Sequence, residues 1–149
     1  MYAAAHGDAA RVAWLLARGA PREARDVRGT TALFFASSKG HADAVRALLA
    51  AGANVDASNN NGVTPLWTAA YSGHTDAVRA LLTASADVEG AFNHGFRPLH
   101  AASLHDHVAA ATLLLDAGAG VNARYNGHTP LAWASTPEMR ALLVARGGV

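Results

Sequence analysis

The chain has 149 residues, 51% of them hydrophobic and 15% charged, so its length suits one domain and its composition supports a buried core. Twelve basic and eleven acidic residues give a net charge of +1, which argues against nucleic-acid binding, and the absence of cysteine excludes disulfides. No apolar run approaches the roughly 20 residues of a membrane helix. The first residues also lack a signal-peptide pattern, so we expect a cytoplasmic protein that does not enter a membrane.

One pattern recurs every 33 residues along the chain: the segment beginning at Thr31 returns at Thr64 and again at Arg97. Within each period the pattern predicts a first helix, a glycine turn and a second helix such as 41–50, which carries leucines on one face and ends at Gly52. Pro at the first helical position, as in Thr64-Pro65 and Thr129-Pro130, predicts capped helix starts. Between the units, tight hairpin turns are predicted at three glycine pairs: Arg28-Gly29, Asn61-Gly62 and Asn126-Gly127.

These blocks resemble the ankyrin repeat, whose signature is Thr-Pro-Leu-His. The resemblance covers nearly the whole chain and implies a mainly α fold, an ankyrin-repeat solenoid of hairpin turns and helix-turn-helix units stacked in a curved array. We divide a single domain, 1–149, into units at about 1–25 (partial), 26–58, 59–91, 92–123 and 124–149 (shortened). The altered end units fit terminal caps, and the missing start of the first unit fits a fragment of a longer array equally well.

Four positions depart from the signature: Ala32 stands for Pro, Arg97 for Thr, and Ser85 and Asp106 for Gly. Arg97 removes a helix cap, and Ser85 is expected to strain a position where glycine is preferred. Because three of the four departures fall between residues 85 and 106, we expect the third full unit to be the weakest.

The resemblance implies that a partner binds the concave side, at the hairpin tips and the first helices. The residues expected there are Arg28, Asn60, Val63, Tyr71, His94, Phe96, Leu104, His105, Tyr125 and His128. Five of them are apolar or aromatic at positions expected to meet solvent (Val63, Tyr71, Phe96, Leu104 and Tyr125), which is typical of protein-binding patches. The alternative is that these side chains shield neighbouring loops within the solenoid.

Catalytic and metal-binding patterns are missing from the sequence: there is no phosphate loop, no Gly-x-Ser-x-Gly and no His-Glu-x-x-His. The resemblance assigns structural hydrogen bonds to His41, His74, His107 and His100. The pair around Asp106 lacks the further ligands that zinc needs. Trp67 and Trp133 are expected to pack in the interior. We therefore expect no enzyme activity, no cofactor and no metal.

The leading hypothesis is a non-enzymatic protein-protein interaction module that acts as a monomer. Two alternatives stay open: a structural spacer or fragment of a longer array, and an engineered or reconstructed repeat scaffold. Charge is uneven, since residues 47–123 contain two basic and six acidic residues, a net charge of −4. Such a segment could orient a partner, although solvated helix faces give the same counts.

Overall fold

A computed structural model of the chain describes residues 1–92 and 95–149. This part contains ten helices, two for each repeat unit, and no extended sheet; paired residues occur only as the isolated bridges Phe92–Phe96 and Tyr125–His128. The mainly α architecture is as predicted. The helices are α1 (Tyr2–Ala5), α2 (Ala9–Ala17), α3 (Ala32–Ser38), α4 (Ala42–Ala50), α5 (Pro65–Tyr71), α6 (Thr75–Thr83), α7 (Pro98–Leu104), α8 (Val108–Asp116), α9 (Pro130–Trp133) and α10 (Pro137–Ala145).

The units stack in sequence order. First helices pack on first helices, from α1 through α3, α5 and α7 to α9, and second helices pack on second helices in the same way. Small side chains such as Ala69 and Ala102 are fully buried in the first helices, and leucines such as Leu81 and Leu114 in the second. A single unit could not bury these faces alone, so stability depends on contact between neighbours, as in a solenoid.

The predicted helix starts form at most units. The hydroxyls of Thr31, Thr64 and Thr136 accept hydrogen bonds from the backbone N–H three residues on, at 3.3, 3.1 and 3.3 Å. Prolines open α5, α7, α9 and α10. Thr129 is an exception, because its hydroxyl donates to the carbonyl of Val149 at 2.8 Å and makes no cap for α9.

Three histidines tie each unit to the one before it. The Nε2 atoms of His41, His74 and His107 donate to backbone carbonyls of the preceding unit at 3.1, 3.2 and 3.1 Å. Each ring lies against a glycine of that unit, at Gly7, Gly40 or Gly73. The structural role predicted for these histidines is confirmed.

A second set of contacts between units was not predicted. Side-chain oxygens of four residues spaced by 33 accept backbone N–H groups of the following unit at 2.7–3.0 Å; the acceptors are Glu23, Asp56, Glu89 and Asn122. A buried or half-buried backbone N–H needs such a partner, and these bonds supply one at each junction. We call these four contacts the carboxylate ladder, including its terminal amide.

Two departures from the signature gain contacts of their own. Asp106 adopts the left-handed backbone expected at a glycine position, with φ 54°. Its Oδ1 atom accepts from the N–H groups of Ser135 and Thr136, at 3.0 Å each, and from the Thr136 hydroxyl at 3.1 Å. The N–H of Thr136, followed by that of Ser135, holds the pKa of Asp106 below its usual value. Arg97 forms an ion pair with Glu89 of the ladder.

Candidate functional site: an aromatic groove

Six aromatic side chains from three consecutive units line an open depression of about 370 Å³, which we call the aromatic groove. Its members are Trp67 and Tyr71 on α5, Phe92 and Phe96 in the hairpin before α7, Tyr125 in the hairpin before α9, and Trp133 at the end of α9. The groove therefore runs along the hairpins and first helices, on the side of the array where the resemblance places partner binding.

Backbone pairing at the hairpins positions two of its walls. Phe92 and Phe96 exchange N–H···O bonds of 3.0 and 2.8 Å, and Tyr125 and His128 exchange bonds of 3.0 and 2.9 Å. The Asn126-Gly127 turn that joins the second pair has positive φ at both residues, 49° and 80°, which matches the twist of a tight hairpin. Each hairpin leads directly into the first helix of its unit, so the rings of neighbouring units come together.

Phe96 lies at the centre of the ring network. Its centroid is 6.1 Å from that of Trp67, 4.9 Å from that of Tyr125 and 5.7 Å from that of Trp133, and these ring planes cross at 56–78°. Trp67 stacks on Tyr71 at 5.1 Å and donates its Nε1–H to the carbonyl of Phe96 at 2.9 Å. The walls thus lie in several planes and are fixed by mutual contact.

Two histidines and a leucine stand at the edges of the groove. The ring of His105 meets that of Tyr71 at 4.4 Å, and the ring of His128 meets that of Trp133 at 6.0 Å. Both histidines are exposed. Leu104 and Tyr71 are 36% and 41% exposed, as the sequence predicted for these two positions.

His100 lies behind the groove, where it is fully buried and stacks on Phe96 at 5.5 Å. Its Nδ1 atom accepts the N–H of Arg97 at 3.2 Å and its Nε2 atom donates to the carbonyl of Ala123 at 3.1 Å, an arrangement that only the neutral ring can make. Burial lowers the pKa of His100, the charge of Arg97 lowers it further, and the bond to Ala123 opposes both. The predicted turn-stabilising role is confirmed.

Two of the five apolar positions predicted to meet solvent are buried, so the expectation is wrong for Val63 and Phe96, which are 9% and 8% exposed. Phe96 is covered by the rings around it. Val63 closes its hairpin by accepting the N–H of Asn59 at 3.0 Å and directly precedes the buried Thr64, so the turn stays against the array. Tyr125 is half-buried, and His94 lies outside the described residues.

The remaining two predicted residues, Arg28 and Asn60, lie on neighbouring hairpin tips away from the groove. Both are exposed. The N–H of Asn60 donates to the carbonyl of Arg28 at 2.9 Å and its side-chain amide to that of Val27 at 3.3 Å. Asn60 therefore joins two units whether or not it also contacts a partner.

Sequence reasoning missed half of the groove. Trp67 and Trp133 were expected to pack inside the protein, whereas both are half-buried and form groove walls, and Phe92 was not singled out at all. The spacing of Phe92 and Phe96 across one hairpin was the available signal. It is weak without knowledge that the hairpin closes.

The groove lining contains no charged side chain, and so offers apolar surface and ring faces rather than acid-base chemistry. Over residues 1–92 and 95–149, no group of three or more His, Cys, Asp or Glu side chains converges as a metal site would require. In the His105-Asp106-His107 segment, the carboxylate binds Thr136 and the second imidazole binds the carbonyl of Tyr71.

Stacked helix pairs joined by periodic glycine–histidine contacts define a helical repeat solenoid. Comparison with family models agrees: residues 1–91 match ankyrin repeats in three copies, and residues 94–125 match an ankyrin repeat. The chain belongs to the ankyrin-repeat family, whose repeats are generally protein-protein interaction modules and typically non-enzymatic. No curated protein matches the chain. Within the described residues, every helix is too short or too polar to cross a membrane.

Proposed function

We propose that the chain binds a partner protein through the aromatic groove and the hairpin tips beside it. The observation that carries this proposal is the groove itself, in which six aromatic rings from three units border solvent without a charged side chain among them. Tyrosine, tryptophan and phenylalanine are enriched in the cores of protein interfaces and among the residues that dominate binding energy.

The rigidity of the site supports the proposal. Trp67 is held by its hydrogen bond to Phe96, and the units beneath the groove are joined by the histidine contacts and the carboxylate ladder. A partner would find these rings already ordered, so binding would lose little side-chain entropy. No catalytic step is part of the proposed function.

The structural-spacer alternative draws support from the buried residues. Val63 and Phe96 pack within the array, and Asn60 bonds to the hairpin before it. Substituting these residues would disturb the fold, so their loss could not separate binding from stability. The exposed groove residues Tyr71 and Leu104 separate the two hypotheses better.

The test compares two tyrosine substitutions that differ only in place. Tyr71→Ala removes an exposed groove ring, and Tyr2→Ala removes a ring that is 72% exposed at the other end of the array. Proteins captured from an extract of the source cells by the intact chain are identified by mass spectrometry, and their affinities are measured by calorimetry with purified components. Circular dichroism confirms that both variants fold.

We expect at least one captured protein to bind the Tyr2→Ala variant normally and to lose about tenfold or more in affinity with Tyr71→Ala, the loss typical of an interface aromatic. A Leu104→Ala variant should weaken the same partner. If every captured protein binds all three variants equally, the groove is not a binding site and the spacer hypothesis is favoured.

A further inference from the structure

The groove differs from an ordinary apolar patch in the type of its lining. All six lining residues are aromatic, and neither an aliphatic nor a charged side chain is among them. An aliphatic surface attracts a ligand through burial of apolar area alone. Aromatic rings also carry negative potential on their faces, which attracts cations.

The charges around the groove favour the same kind of ligand. Residues 47–123, which contribute Trp67, Tyr71, Phe92 and Phe96, have a net charge of −4. The two arginines nearest to the groove in sequence are already engaged: Arg97 pairs with Glu89, and Arg124 donates to the carbonyl of Gly127 at 2.7 Å. A cationic ligand would meet an attractive field here, whereas a nucleic-acid strand, which also stacks on aromatic rings, would need basic residues along its backbone.

From this complementarity we infer that the groove receives an arginine side chain from an exposed basic segment of the partner protein. The guanidinium group is planar, weakly hydrated and suited to stacking on ring faces, and it remains charged at any pH at which the protein is folded. Rings that cross at 56–78° around Phe96 give such a group walls in more than one plane. The open volume of about 370 Å³ leaves room for the flanking peptide. This inference rests on the proposed function, and it names the partner chemistry of the same groove.

The experiment uses four nine-residue peptides that differ at two positions: Gly-Ser-Gly-X-Gly-X-Gly-Ser-Gly, with arginine, citrulline, lysine or leucine at X. Citrulline keeps the shape of arginine without its charge. Binding is followed by tryptophan fluorescence in a Trp14→Phe background, because Trp14 is exposed at the first unit and would obscure the signals of Trp67 and Trp133. Titrations at low and high salt report the contribution of charge.

We expect the arginine peptide to bind about tenfold or more tightly than the citrulline peptide, more tightly than the leucine peptide, and more weakly at high salt. Tyr71→Leu, which keeps an apolar side chain but removes a ring, should weaken the arginine peptide several-fold and leave the leucine peptide unchanged. Tyr2→Leu is the matched control and should change neither affinity.

Equal binding of arginine and citrulline peptides, tighter binding of the leucine peptide, or no binding of the arginine peptide would each overturn the inference. Tight binding of oligo-dT, added as a further probe, would also overturn it. None of these results alone removes the proposed function, which fails only if no captured protein depends on Tyr71 or Leu104. The two failures are therefore distinguishable.

Discussion

The contact between Gly73 and His107 predicts a large cost for a single methyl group. Gly73 has φ 71°, and a Cβ atom built there would lie 2.5 Å from Nδ1 of the His107 ring. The ring would have to move, and with it the 3.1 Å bond from its Nε2 to the carbonyl of Tyr71. Gly62 is a matched control, because it has φ 80° and no atom within 4 Å of the same position.

The two substitutions share the backbone cost and differ in the contact. Alanine in the left-handed region costs about 1–2 kcal/mol, offset in part by about 0.4–1 kcal/mol from the less flexible unfolded chain, so Gly62→Ala should cost about 1 kcal/mol. Gly73→Ala adds a lost hydrogen bond of about 1 kcal/mol and a repacking cost of similar size. We therefore expect Gly73→Ala to cost about 3 kcal/mol.

Equilibrium urea unfolding of both variants measures this difference. The same substitution in a His107→Ala background isolates the contact: there Gly73→Ala should cost about 1 kcal/mol, like the control, because the obstructing ring is gone. If Gly73→Ala costs the same in both backgrounds, or no more than Gly62→Ala, the packing of histidine on glycine does not hold the units together as we argue.

Three further predictions concern other contacts. Because the pKa of His100 lies below its ordinary value of 6.5 in the folded chain, the unfolded chain binds the proton more readily; the urea midpoint should fall between pH 7 and pH 5, and His100→Gln should flatten that dependence rather than leave it unchanged. Asp106→Gly should weaken amide protection in α10 even though glycine suits φ 54°, because the bonds to Ser135 and Thr136 are lost; hydrogen exchange would refute this if protection rose. Phe96→Ala, at a site 8% exposed, should cost about 3 kcal/mol in urea unfolding, and a cost near zero would contradict its burial.

The repeat architecture could be predicted because its signals are local and periodic. Thr64-Pro65 specifies a helix start through a hydroxyl acceptor and a fixed φ, and the glycine before each histidine specifies a turn that ordinary residues avoid. These signals recur at one spacing, so each unit strengthens the interpretation of the others.

The site was less predictable because it depends on contacts between units. Exposure of Phe96 was inferred from its position in one unit, but its burial is produced by Trp67 of the unit before and Tyr125 of the unit after. The carboxylate ladder was missed for a similar reason: Glu23, Asp56, Glu89 and Asn122 differ in type, and they share only the backbone N–H that each accepts.

The Asp106 contact makes the last junction chemically unlike the earlier ones. At the earlier junctions a glycine receives an imidazole ring, whereas here a carboxylate receives the start of α10. Any transplant of the fourth unit into another array would have to carry Thr136 along with Asp106, since neither residue finds its counterpart at a glycine–histidine joint. The units of this solenoid are therefore interchangeable in the middle of the chain but not at its final seam.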